Sequence, residues 1–420
     1  MKKSGKRPSR FKSDIEHKKK AIDKRESLSY EDVPIDDYFD ESVDKVEMPT
    51  PVIKLLIILL SCTAVILIWT NWSNLSPDKV ALWIQDSVLG IGSGQGFPVA
   101  ISGNEVRNAN FKLLDSDVAI VSDTSFFTVN KQGKQTCNRQ HSFSSPVLMV
   151  DGNISMLYNR GGKGLQIESI SNEIRKASCD NAIQAADISS SGVYAVVTES
   201  KSYLSEMTVY LKDNTEKYKY YFSECYVMNI DVNSDGSMAC ASGVLSRDGA
   251  MTSIIYVFDF NKTDPLLKLE FEGLPVNIEF INNNKLSFIT DKALNIIDIN
   301  SKSNKEISYD KRILTSYAID KGEKICLALS SSTDGRNCDI LMVDKSGNIT
   351  VEFKTEIKIL SLALKDNIIA ILSPSTLNIY SNKGELINKK EAGNDAKEII
   401  LCSKHDAYIL GVSDIRKMNF

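Results

Sequence analysis

Between Phe97 and Phe420 the apolar residues fall in runs of about four to eight Val, Ile, Leu, Phe, Tyr and Ala, each closed by Asp, Asn, Ser or Gly. No stretch keeps a helical period for twelve residues. The runs recur in sets: a first strand, a polar turn such as DISSSG or DVNSDG, a strand of small residues, a loop, a strand rich in branched and aromatic residues, and a more polar fourth strand. Two copies are plain, starting at Ala182 and Tyr226, and others start near Asn108, Pro146, Pro275, Arg312, Lys358 and Lys397. A four-stranded unit of roughly forty residues predicts an all-β β-propeller, because such a blade buries its faces only against neighbouring blades. SMACAS, YAVVT, ICLALS and IIAILS supply the small, branched inner strands that the ring needs. The last copy holds three strands, so the segment from Gly96 to Ser102 is expected to add the fourth and remove the open edge. The count is eight blades, or seven if the weakly patterned first copy is not a full blade.

A different pattern occupies residues 52 to 72, VIKLLIILLSCTAVILIWTNW. As a helix, the stretch from Val52 to Trp69 spans about 27 Å, near the ~30 Å hydrocarbon core of a bilayer. Lys54 sits at the edge, where its amine reaches the headgroups. The segment reads as a single-pass transmembrane helix. Ahead of it the charge is segregated: residues 1 to 25 carry eleven Lys/Arg against three Asp/Glu, and residues 26 to 50 carry one Lys against nine Asp/Glu. A basic flank favours the cytoplasmic side, which places the N-terminus inside and the large domain outside the cell membrane. About fifty residues precede the apolar run and no small-x-small site follows it, which speaks against a cleaved signal peptide. The tail has too few apolar residues to offset its ordering entropy and is expected to be disordered. It lacks the aromatic interleaving of a single-strand binder, so no nucleic acid is expected. The expected domains are a tail over 1–50, the membrane helix over 51–72, a short amphipathic helix and Gly-rich linker over 73–96, and the propeller over 97–420.

The stretches SPDKVALWIQDSVLGIGSGQGFPVAISG, NRQHSFSSPVLMVDGNISMLYNRGGKGLQIES and YAVVTESKSYLSEMTVY resemble a family of membrane-anchored, β-propeller-like proteins of Gram-positive anaerobic bacteria, a domain of unknown function. The resemblance covers roughly residues 75 to 420. It implies an extracytoplasmic domain and carries no catalytic residue.

Motifs for chemistry are few. DVNSDG, from Asp231 to Gly236, begins like a calcium loop, but the twelfth position is Ser242 and no helix precedes it, so it reads as a tight turn. YNRGGKG, from Tyr158 to Gly164, puts Arg160 and Lys163 on a glycine hairpin tip, either as solvated cations or as a contact for an anion or acidic polymer. Eight Cys include no CxxC pair. Cys240, Cys326 and Cys402 sit in apolar strands, where a thiol behaves as a small hydrophobe. Only His17, His141 and His405 occur, which excludes a zinc site built from several His. No metal or other cofactor is expected.

Loop length is the most useful functional signal. Connections between the second and third strands are long and polar in three blades, over 198–206, 241–252 and 330–338, and in a propeller they emerge on one face. Tyr203, Arg247, Asp248, Asp334 and Arg336 are therefore the candidate contact residues, with Arg160 and Lys163 beside them. The favoured reading is an envelope scaffold or sensor that binds a protein, peptide or cell-wall polymer and is not an enzyme. The alternative is a cell-wall carbohydrate hydrolase or lyase with paired acids in the central channel.

Overall fold

The computed structural model describes residues 94–247 and 249–420, together with Leu59, Ser61 and Thr63. The chain divides into two units, 1–76 and 77–420. In the first, the three described residues are helical, and the Thr63 hydroxyl donates to the Leu59 carbonyl at 3.0 Å. The expected tail, most of the membrane segment and the amphipathic helix lie outside the described residues. Among those described, no helix is long and apolar enough to cross a membrane.

In the second unit each predicted repeat is one antiparallel four-stranded sheet, giving eight blades from strands numbered β1 to β32 in chain order. The weakly patterned first copy is a full blade, which decides for eight over seven. Blade 1 covers 106–140, blade 2 146–178, blade 3 183–222, blade 4 226–272, blade 5 275–308, blade 6 313–355, blade 7 361–391 and blade 8 398–419. The innermost strands are β2 (Val106–Leu114), β6 (Pro146–Asp151), β10 (Ile183–Ile188), β14 (Tyr226–Val232), β18 (Pro275–Asn282), β22 (Ile313–Asp320), β26 (Ser361–Lys365) and β30 (Glu398–Leu401). Because every blade is an up-and-down meander, second-to-third-strand loops and blade-to-blade crossings share one face, here the loop face. First-to-second and third-to-fourth turns share the opposite face, the turn face.

The core is divided rather than central. Eight apolar clusters each join residues of two neighbouring blades, from Leu114 with Leu148 between blades 1 and 2 to Tyr408 with Val118 between blades 8 and 1. The small second strands permit this packing, with Ala195, Ala239, Cys240, Cys326, Ala328 and Ala370 all fully buried. No disulfide joins the described cysteines, and Cys402 lies half-buried just beyond β30.

The ring closes as the sequence predicts. β1 (Val99–Ala100) pairs antiparallel with β32 (Asp414–Asn419), Val99 opposite Ile415 and Ala100 opposite Asp414, and the Ile101 amide continues the ladder to the Ser413 carbonyl at 3.0 Å. Phe97, Val99 and Ile101 pack on the cluster between blades 8 and 1, with the Phe97 ring 5.4 Å from that of Tyr408. DVNSDG is a tight turn, in which Asn233 accepts from the amides of Ser237 and Met238 and Gly236 takes φ +72°. One expectation changes. The polar stretch 241–252 is a projecting hairpin, because β15 (Met238–Arg247) and β16 (Ala250–Asp259) keep pairing out to Arg247 opposite Ala250.

Candidate functional site

The loop face gathers the predicted contact residues. Tyr203, in the loop of blade 3, is 44% exposed, and its ring lies 4.8 Å from that of Tyr221. Arg247, at the tip of the blade 4 hairpin, pairs with Glu270 at 2.8 Å. Asp248 lies outside the described residues. In blade 6, Asp334 accepts from the Ser332 hydroxyl and the Arg336 amide, and these bonds hold its carboxyl below the usual range. Its other oxygen is 3.8 Å from the Arg336 guanidinium. On blade 2 the Arg160 guanidinium donates to the Tyr158 hydroxyl at 3.1 Å. Lys163 reaches the Asp180 carbonyl at 2.6 Å, so this glycine tip is tied to the crossing into blade 3. Tyr203 and Arg247 thus stand on adjacent blades, whereas Asp334 and Arg336 are separated from them by blade 5.

Exposed apolar side chains sort to the same face. Tyr203, Tyr221, Tyr226, Met228, Met251, Leu274, Ile313, Leu360 and Val412 all lie in second-to-third-strand loops, in blade crossings or near the loop-face ends of strands. The other large exposed apolar residues of the ring, Ile174, Ile349, Leu386 and Ile387, sit near the starts of fourth strands on the outer rim.

Of the acids that line the axis, the sequence reading singled out only Asp231, and only as the start of a tight turn. Inner strands have an edge whose amides no sheet partner satisfies, and side chains of the preceding blade meet that need. Asp151 accepts from the Ser190 amide at 2.7 Å, Asp187 from Val232 at 2.8 Å, Asp231 from Phe280 at 2.8 Å and Asp320 from Asp366 at 3.1 Å. Asn110 does the same for Leu148, and Ser361 for Ile399. The available signal was an acid near the end of five of the eight first strands, as in MVD, AADI, NIDV, IEF and AID. In a sequence these acids look like ordinary turn residues.

At the turn-face end, Lys321 and Asp151 form an ion pair at 3.0 Å. Blades 6 and 2 are opposite in a ring of eight, so this bridge crosses the axis. The space above it is a cavity of about 1720 Å³, walled mainly by the first strands of blades 5 to 8 and 1 and running out over outer residues of blades 4 and 5 such as Glu272, Asn295 and Glu306. Lys321 remains 50% exposed to this space although protein surrounds it on several sides. Burial alone would lower its ammonium, but Asp231, Glu279, Asp151 and Asp187 together hold it above its usual value. Burial pushes Asp187 up to about 6, against the Val232 amide and Lys321. Asp231 is raised by burial and by its neighbours Asp187 and Glu279, and Glu279 is raised by burial against Lys321 and Lys112. Glu398 is pushed up to about 7 by burial, only partly offset by the Ala109 amide and Lys112. Asp151 is the exception, since Lys321 and Ser190 outweigh burial and lower it. The floor therefore gathers more acids than cations, and burial raises most of those acids. Among the described residues no cluster of His, Cys, Asp and Glu has the arrangement of a metal site.

Strand order, closure and an axial cavity define this class of molecule, an eight-bladed β-propeller. The chain belongs to the family of unknown function DUF5711, whose model matches residues 99–420 and so begins at the first residue of the closing strand. No curated protein matches it in sequence. Among solved structures it is similar to BamB from Moraxella catarrhalis, at 13% identity over 77% of this chain and 98% of that one, with a TM-score of 0.50. It is also similar to the C-terminal WD40 domain of Sif2, at 12% identity over 77% and 99% of the two chains, with a TM-score of 0.53. At these identities the likeness is one of fold.

Proposed function

We propose that this chain is a single-pass membrane protein of the cell envelope whose propeller stands outside the membrane and serves as a binding scaffold or sensor, engaging a protein partner through its loop face. The observation that carries the binding reading is the sorting of exposed aromatic and aliphatic side chains to that face. Scattered apolar residues are normal on any surface, whereas apolar residues gathered on one face of a ring suit an interface. Tyr and Arg are suited to anchor a contact, since they combine apolar area with directed hydrogen bonds. A binding role also fits the deep acids, several of which spend an oxygen on a neighbouring backbone amide or on Lys321. The membrane location is supported by the apolar segment 52–72 and its basic flank.

The test combines a photocrosslinking residue at Met251 or at Leu386 with protease treatment of intact, wall-stripped cells. A defined protein adduct should form from Met251 and not from the rim position. Protease should remove the part after Trp72 and spare the tail. Equal adducts from both positions would refute the loop face, and protection of the propeller would refute the topology.

A further inference from the structure

We propose that β22 is an open edge strand that accepts one extended segment of a protein partner as an added strand within the axial cavity, with a Lys or Arg of that segment directed toward Glu279 and Glu398. This deepens the reading of the loop face as a protein-binding surface and rests on it.

The first observation is a gap in the inner ring of hydrogen bonds. Side chains of the preceding blade bond to inner-strand amides of blades 2, 4, 5 and 8, and to the amide of the turn after the inner strand, Ser190 or Asp366, in blades 3 and 7. Into blade 6, among the described residues, no side chain of blade 5 bonds to the backbone of β22. The equivalent residue of blade 5 is Glu279, which stands opposite Ser287 as Asp231 stands opposite Cys240. β22 is correspondingly open: Ile313 is exposed and the next seven residues are half-buried, whereas the last residues of β10 and β14 are buried. Every residue from Ile313 to Lys321 lines the cavity.

The cavity suits a chain segment better than a small molecule. Its volume of about 1720 Å³ exceeds the roughly 300–1,000 Å³ of small-molecule pockets. Its mouth carries the exposed Ile313 and Leu360. Two residues of its wall hold buried polar atoms without a partner: the hydroxyl of Tyr309, a residue only 1% exposed, and Oε2 of Glu398. They stand on different blades, Tyr309 at the crossing into blade 6 and Glu398 at the start of β30, and both atoms are enclosed by protein. The charge balance selects the side chain. Lys321 pairs with Asp151 and Lys365 with Asp320, whereas Glu279 and Glu398 line the cavity without an ion pair among the described residues and share the charge of Lys112. Strand addition gives affinity through main-chain bonds and specificity through alternate side chains. That matches an uncapped edge beside an acidic floor.

The experiment pans a phage-displayed library of random dodecapeptides on the full chain in detergent and, in parallel, on a Ser316→Trp chain whose cavity is obstructed. Peptides selected by the wild type alone should carry Lys or Arg within an alternating apolar pattern. A synthetic copy should slow amide exchange along β22. Methylating its alternate backbone nitrogens should weaken binding roughly tenfold or more, as should Glu279→Gln combined with Glu398→Gln, because each removes hydrogen bonds or a charge-assisted contact. No peptide specific to the wild type, equal binding by the N-methylated copy, or protection confined to the 245–252 hairpin would each overturn the proposal. If a cellular partner is captured through Met251 while β22 exchange stays unchanged, the loop-face reading survives and this inference falls.

Discussion

Ala109 holds the left-handed conformation, φ +68°, at the irregularity in β2 between Val106 and Phe111, and its side chain is exposed. For a non-glycine residue this costs about 1–2 kcal/mol, so Ala109→Gly should raise stability by up to about 1 kcal/mol after glycine's greater unfolded-state entropy. A melting curve unchanged or lowered would show that the Ala109 methyl has a packing role. The buried acids give a second expectation. Glu168 is 1% exposed, with Oε2 2.6 Å from Arg139 and Oε1 buried without a partner, and burial pushes it up to about 7 against Arg139. With Asp187 raised to about 6 and Glu398 to about 7, the folded chain holds protons that the unfolded chain releases near pH 4. This contribution is complete below the unfolded values and is lost as pH rises through about 6 to 7. Asp151 is shifted the other way, with its effect below pH 4, and His141, lowered by burial, offsets part of the trend below about pH 6.5. Tm should therefore be higher at pH 5.5 than at pH 8, by on the order of a few degrees. Glu168→Gln and Glu398→Gln should each flatten the slope, and a Tm that rises with pH over this range would contradict the account.

At the scale of elements, the closing strand is the most exposed to test. A chain beginning at Asn104 loses the half-buried Phe97, Val99 and Ile101 and leaves β32 as an open edge. By area it should lose about 3 kcal/mol. Identical denaturant midpoints for this chain and one beginning near Asn71 would mean that the ring does not depend on β1. The closing strand was legible because the last copy was one strand short and GFPVAIS carries the alternation of a strand. The hairpin over 245–252 was not, because Ser246 and Arg247 interrupt the apolar pattern and look like loop. Their backbone pairing with Ala250 and Met251 supplies what the side chains do not announce. The ring of inner-strand acids was hidden for a related reason. Asp187 and Asp231 each stand beside a turn, where acids are common, and only closure of the ring brings them together around Lys321.

For the whole molecule, the repeat was readable because turns such as DISSSG and DVNSDG recur in phase with small second strands, and each of those strands is buried between two blades. The asymmetry of the axis was not readable. It depends on Lys321 reaching Asp151 across the ring and on β22 lacking the capping bond made at most other steps. The central claim is that the loop face of blades 3, 4 and 6 contacts a partner. It is tested most directly by replacing Tyr203, Arg247 and Arg336 together with Ala and repeating crosslinking in intact cells, with identification of the captured protein. Substitutions at exposed loop positions usually change stability by only about 0.5 kcal/mol each, so the melting curve should stay close to wild type while the crosslinked partner disappears. Undiminished capture of the same partner by the folded triple variant would contradict the account.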